Sequence, residues 1–166
     1  MIPLDELEIL IKDLSHDPSE EEIEQLYTCF RNDFIDNQVT IDKRKIKIIL
    51  ANSKIPSFRQ YPETFVHIIT RKSHLSKKRY FEPERANRIH WIKNILLQRS
   101  DPKIKFFQFE DDNKETKDHY WYEEGKFMVV LKKISNDLLI VTSFCVDDLE
   151  KRKYKRRYQN YRNSIK

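Results

Sequence analysis

The chain has 166 residues, 39% hydrophobic and 12% aromatic, enough to bury one good core and too few for two large domains. Its single glycine, Gly125, excludes phosphate-binding loops and dinucleotide fingerprints, which need several positions without a Cβ. The net charge of +5 is unevenly placed: residues 65–99 carry nine Lys/Arg against two acids and residues 149–166 carry eight against one, on an otherwise acidic body. Such a polarised field suits a polyanion, nucleic acid above all; charge runs that merely solvate helix faces are the alternative.

Two cysteines, Cys29 and Cys145, are too few for a Cys-rich metal site and fall in apolar runs, as small core residues do. The N-terminus is acidic within its first six residues, the wrong sign for a signal peptide, and no apolar run approaches the ~20 residues of a membrane span. A cytoplasmic protein with no membrane contact, metal or cofactor is the expectation.

In chain order, Leu4, Leu7, Leu10, Ile11 and Leu14 recur with a helical period, predicting a short amphipathic helix over 3–14. Ser19 followed by Glu22 is a capping-box pattern, and Ile23, Leu26, Tyr27, Phe30 and Phe34 continue it as a second helix ending near Asp36. Residues 38–50 turn strand-like around Asp42-Lys43-Arg44, a hairpin turn. Residues 1–60 thus read as a helical pair plus hairpin, an extension to a main α+β domain over 61–166. Residues 64–70 alternate as a strand, and Pro83 opens a helix of about four turns over 82–99. Runs at 104–109, 119–122, 127–134 and 138–146, joined by short polar turns, predict a four-stranded antiparallel meander. A basic helix from about Asp148 to Ile165, striped by Tyr154, Tyr158, Tyr161 and Ile165, closes the chain.

A few residues depart from a purely structural pattern. Extending the apolar stripe of Ile89, Ile92 and Leu96 back one turn lands on Arg85, a guanidinium that must snorkel out or meet an anion. His90 and Lys93 are neighbours on a flanking line, or simply surface residues. His67 stands mid-strand four residues before Arg71, as a core histidine or a proton carrier. Thr142 and Ser143 interrupt an otherwise apolar strand. No zinc-like spacing or G-x-S-x-G elbow occurs. What remains, His, Arg, Lys, Thr and Tyr, can move protons and neutralise phosphate, and RNA brings its own nucleophile in the 2′-hydroxyl.

The runs Phe65–Arg71 (FVHIITR), Phe81–Ile92 (FEPERANRIHWI) and Leu139–Phe144 (LIVTSF) resemble a phage and bacterial branch of the metal-independent ribonucleases that group barnase, EndoU, the colicin ribonuclease domains and RelE-like toxins. The resemblance covers about residues 63–147. It implies an endoribonuclease that leaves a 2′,3′-cyclic phosphate, with His67 as acid/base, Arg85 on phosphate and Thr142 as the last-strand hydroxyl. Lys93 and His90 are further catalytic candidates. Arg71, Arg88, Ser143, Trp121, Lys155, Arg156 and Tyr158 are candidates for holding RNA. Many relatives are toxins, which implies an acidic cognate antitoxin or immunity protein as a second partner. The competing expectation is a nucleic-acid-binding or protein-inhibiting module on the same fold, and a third is an adaptor that uses its N-terminal helices.

Overall fold

The computed structural model covers residues 1–166 and is an α+β protein of five helices and a six-stranded mixed sheet, with a separate two-stranded ribbon. Helix α1 (Glu20–Phe34) starts where the capping box places it: the Ser19 hydroxyl accepts from the Glu22 amide while the Glu22 carboxylate accepts from the Ser19 amide. It buries Ile23, Leu26, Phe30 and Phe34. Strands β1 (Thr40–Ile41) and β2 (Arg44–Lys47) follow, joined by Asp42 and Lys43, both at positive φ as a tight two-residue hairpin demands.

The segment 3–14 departs from the predicted helix. Only Leu4–Glu6 make a 3-10 turn, and the rest runs as an irregular strap across helices α3 and α4, described below. Distant side chains satisfy its backbone. Asn87 Oδ1 accepts from the Leu10 and Ile11 amides at 3.0 and 2.6 Å, Asn87 Nδ2 donates to the Ile11 carbonyl, and Trp91 Nε1 donates to the Glu8 carbonyl at 3.0 Å. Its leucines face the core without a helical backbone.

Residues 64–70 also depart from expectation: they form helix α2 (Glu63–Ile69), not a strand. Pro62 precedes it in an extended conformation, and Phe65, Val66, Ile68 and Ile69 are all buried, so both alternate faces of the supposed strand are core-facing on a helix. The Thr70 hydroxyl donates back to the Val66 carbonyl at 2.6 Å and closes the helix. The ribbon then forms from β3 (Thr70–Lys72) and β4 (Arg79–Phe81). The long helix over 82–99 is divided into α3 (Pro83–Ala86) and α4 (Trp91–Leu97), linked by tight turns. The break frees the Asn87 carbonyl to accept from the Leu10 amide at 3.1 Å.

Strands β5 (Ile104–Glu110), β6 (Thr116–Tyr122), β7 (Phe127–Ile134) and β8 (Asp137–Cys145) pair antiparallel in succession. The sheet is nevertheless larger than the expected four-stranded meander, because β2 pairs parallel with β8 and adds β1 beyond it. One face packs on α1, α2 and α4 in a cluster of 28 buried residues running from Leu4 to Ile140, so residues 1–60 share the core and the sheet of the rest. The other face carries a small cluster of Phe107, Trp121, Met128 and Val130 with Val146, sealed by Tyr154 of helix α5 (Asp148–Ser164). Asp147 caps α5 by accepting from the Glu150 amide at 2.8 Å. Of the expected tyrosine stripe, Tyr154 is buried and Tyr158 and Tyr161 pack partly, but Ile165 is exposed. No helix is long and apolar enough to cross a membrane.

A bulge in β8 decides which side chains meet the core. Ile140 faces Leu131 and Thr142 faces Val130, leaving Val141 unpaired. The alternation therefore slips by one: Leu138 and Ile140 point to the main core, but beyond the bulge Ser143 does, while Thr142 shares the α5 face with Val130 and His119.

Candidate functional site

The site begins at Thr70, where the last turn of α2 becomes β3. Its carbonyl accepts two guanidinium groups at once, from Arg79 Nη2 at 2.9 Å and Arg85 Nη1 at 2.7 Å. Arg79 also donates from Nε to the Thr70 hydroxyl at 2.8 Å and from Nη2 to the His67 carbonyl at 3.0 Å. Arg85 Nε is buried without a partner. Neither arginine, nor Arg71 or Arg88 nearby, forms an ion pair with a carboxylate. Burial, then Arg79, lowers the pKa of Arg85. Like charges held together in a half-buried setting are costly unless an anion joins them.

His67 lies on the α2 side of this cluster. Burial, then Arg79 and Arg85, pushes its pKa down to about 4, so the imidazole is neutral at pH 7. It faces a hollow of about 290 Å³ that it shares with Lys54, Glu63 and Arg79. Glu63 and His67, four apart on α2, occupy one helix face there. A neutral imidazole, a carboxylate and two cations around a small hollow can accept a proton and neutralise a phosphate.

On the other side of the cluster runs a groove of about 540 Å³ between α3, the end of β8 and the start of α5. Arg71, Arg85, Arg88 and Lys126 line it, as do Glu82, Glu84, Asp147, Asp148 and Glu150. Arg88 is braced by the Glu84 carbonyl at 2.7 Å and lies 5.2 Å over the Trp91 ring. Gly125 forms part of the floor, and its lack of a Cβ is required: one built there would stand 2.5 Å from the Tyr122 ring.

The remaining sequence candidates are dispersed. Lys93 faces α1, 3.9 Å from Asp33, beside a Cys29 thiol that burial and Asp33 raise to about 12. His90 lies against the N-terminal strap; burial lowers its pKa, and its Nδ1 is buried without a partner. Thr142 is on the α5 face, its hydroxyl 3.5 Å from the Ser143 carbonyl, whereas the Ser143 hydroxyl is fully buried on the opposite face with no partner. Trp121 is 1% exposed under Tyr154 and Lys105, leaving no ring face for a base. Lys155, Arg156 and Tyr158 line a separate basic hollow of about 370 Å³ with Lys105 and Arg152, and Lys155 is 3.5 Å from Glu123.

The structure thus brings Arg85 onto Thr70 beside His67, sets Arg71 and Arg88 in the adjoining groove, and adds Arg79, Lys54 and Glu63, which the sequence pattern does not single out. Glu63 is detectable from its i, i+4 spacing to His67 once α2 is helical; Arg79 depends on the ribbon register, where it faces Lys72. No group of three or more His, Cys, Asp or Glu side chains is placed to hold a metal ion. No known family model, curated protein or solved structure matches the chain.

Proposed function

We propose that the protein is an endoribonuclease that cleaves by 2′-hydroxyl attack, with the scissile phosphate in the hollow between His67, Lys54 and Arg79. The observation that carries this reading is the pair of guanidinium groups on the Thr70 carbonyl, without a carboxylate partner, beside a neutral imidazole. His67 takes the 2′-hydroxyl proton as the oxygen bonds to phosphorus. Arg79 and Lys54 balance the charge that grows on the phosphoryl oxygens, and the 5′-oxygen leaves with a proton from solvent. The products are a 2′,3′-cyclic phosphate and a 5′-hydroxyl. Arg85 and Arg71 hold the neighbouring phosphate in the groove.

A second reading, a nucleic-acid-binding module without cleavage, is favoured by one observation: His67 is the lone imidazole lining the hollow, since His74 is on the ribbon loop, His90 lies against the strap and His119 stacks on Phe107 at 4.6 Å across the sheet. Incubation of the protein with total RNA in EDTA, with end-group analysis, separates the two. Cyclic-phosphate ends that vanish in His67→Ala, while RNA binding survives, support the enzyme. RNA binding by the wild type without cleavage leaves the module, and activity unaffected by His67→Ala sinks the mechanism.

A further inference from the structure

The ribbon β3–β4 is strongly cationic. From Thr70 to Phe81 it carries Arg71, Lys72, Lys77, Lys78 and Arg79 and no acid. None of these forms an ion pair in a protein that forms several elsewhere. It stands apart from the main sheet as its own two-stranded unit. Its loop is ordered by local bonds: the Ser73 amide donates to the Lys78 carbonyl at 2.7 Å, and the Ser73 hydroxyl accepts from the Leu75 and Ser76 amides. The structure holds this loop in shape, yet Leu75 at its tip is 97% exposed.

The register gives the ribbon two unlike faces. Thr70, Phe81, Lys72 and Arg79 share one, rooted in the core and the arginine cluster. Arg71 and Tyr80, a cross-strand pair, share the other. Arg71 lines the groove and Tyr80 is 42% exposed, so an open aromatic ring stands beside a groove cation. A ring beside unpaired cations is the combination that binds single strands, since a base must be unstacked to reach the ring while the cations follow its backbone.

We propose that the β3–β4 ribbon is a clamp for single-stranded RNA: Tyr80 stacks on the base next to the phosphate held by Arg71 and Arg85, and Lys77 and Lys78 meet the backbone beyond it. This rests on the RNA reading above and names its substrate as unpaired RNA.

The test is fluorescence anisotropy with a labelled 2′-O-methyl oligonucleotide, which cannot be cleaved, as a single strand and as its duplex, over a salt series. The single strand should bind at least about ten-fold tighter than the duplex. Tyr80→Ala should weaken single-strand binding by about 5- to 100-fold and leave duplex binding unchanged, with Tyr80→Trp restoring it. The double change Lys77→Ala and Lys78→Ala should lower the salt slope by about 0.7 for each phosphate that the lysines neutralise. RNA binding that ignores both sets of changes, or that prefers the duplex, overturns the clamp and leaves the RNA reading standing. A wild type that binds neither form overturns both. Tyr80, Lys77 and Lys78 are exposed, so unchanged thermal melting should accompany each variant.

Discussion

Replacing Arg85 with methionine should make the fold more stable while weakening anion binding, the reverse of what a structural arginine would do. The nitrogens that Arg79 and Arg85 place on the Thr70 carbonyl, at 2.9 and 2.7 Å, bring their charges to roughly 5 Å, where two unit charges repel by about 3 kcal/mol at an effective dielectric of ~20. Partial exposure of both side chains reduces that by about half. Leaving the buried Nε unpartnered costs a further ~1–3 kcal/mol. Against these stands one charge-assisted bond to Thr70, worth about 1.5–3 kcal/mol, and Thr70 keeps its bond from Arg79. Methionine retains the apolar stem, so the net is a gain of about 1 kcal/mol, or roughly 2–4 °C in Tm for a chain of this size. Thermal melting at pH 7 with and without sulfate measures both halves. An anion present at ten times its Kd adds about 1.4 kcal/mol to the wild type, and Arg85→Met should lose most of that gain. A variant destabilised by about 2 kcal/mol or more, with the sulfate effect intact, would show that Arg85 is a structural tie and that the cluster is not an anion site.

RNA cleavage should persist from pH 7 down to about pH 5 and fail as pH nears 4, because the base must be neutral and the His67 pKa is pushed down to about 4; a rate that halves near pH 6.5 would refute the assignment. His119, 6% exposed and pushed down by burial to about 4, binds fewer protons folded than unfolded below pH 6.5. Its stabilising contribution is therefore complete above pH 6.5 and falls by about 2 kcal/mol by pH 5, a loss that urea titrations should find abolished in His119→Phe. Asn87→Ala removes three bonds to the strap and should cost about 2–4 kcal/mol, with hydrogen exchange accelerating first at Leu10 and Ile11. Lys155→Ala with Arg156→Ala should lower the salt slope of RNA binding by about 0.7 for each phosphate they neutralise if α5 also tracks the backbone; an unchanged slope assigns those charges to solubility.

Elements specified by neighbouring residues are legible in the sequence: the capping box of α1, the Asp42-Lys43 turn, the four strands from β5 to β8 and the start of α5. The departures have a common physical origin in partners distant along the chain. Leu4, Leu7, Leu10 and Leu14 repeat with a helical period, but the backbone donors of Leu10 and Ile11 are satisfied by Asn87, some 76 residues away, and no local pattern announces that. Residues 65–70 alternate like a strand because α2 is short and mostly buried, so its one polar strip, Glu63 and His67, is too brief to show a helical period. A strand at that place conceals the ribbon, since β3 exists only because α2 ends at Thr70, and with the ribbon it conceals Arg79. Thr142 and Ser143 are separated by a bulge at Val141 that no glycine marks. Arg85 stands out because a guanidinium on an apolar stripe violates patterning, a conflict visible without a partner.

The two walls of the groove constrain how a polyanion can lie in it. Arg71, Arg85 and Arg88 stand on the ribbon and α3 side together with Glu82 and Glu84, whereas the start of α5 presents Asp147, Asp148 and Glu150 without an arginine. A phosphate against the α5 wall would meet three carboxylates, and each unit-charge pair at about 7 Å costs roughly 2 kcal/mol at a dielectric of ~20. On the RNA reading proposed above, a strand lies better with phosphates towards the arginines and base edges towards the α5 acids, where exocyclic amino groups can donate to carboxylates. Asp148 and Glu123 keep Lys126 and two α5 lysines from merging with the arginine cluster into one featureless basic face. Lys126 lies 3.7 Å from Asp148, and Lys151 and Lys155 both turn to Glu123. The unpaired positive charge beside His67 is that of Lys54, the arginines at Thr70 and the ribbon that springs from it, and on the RNA reading proposed above this charge draws a strand past His67.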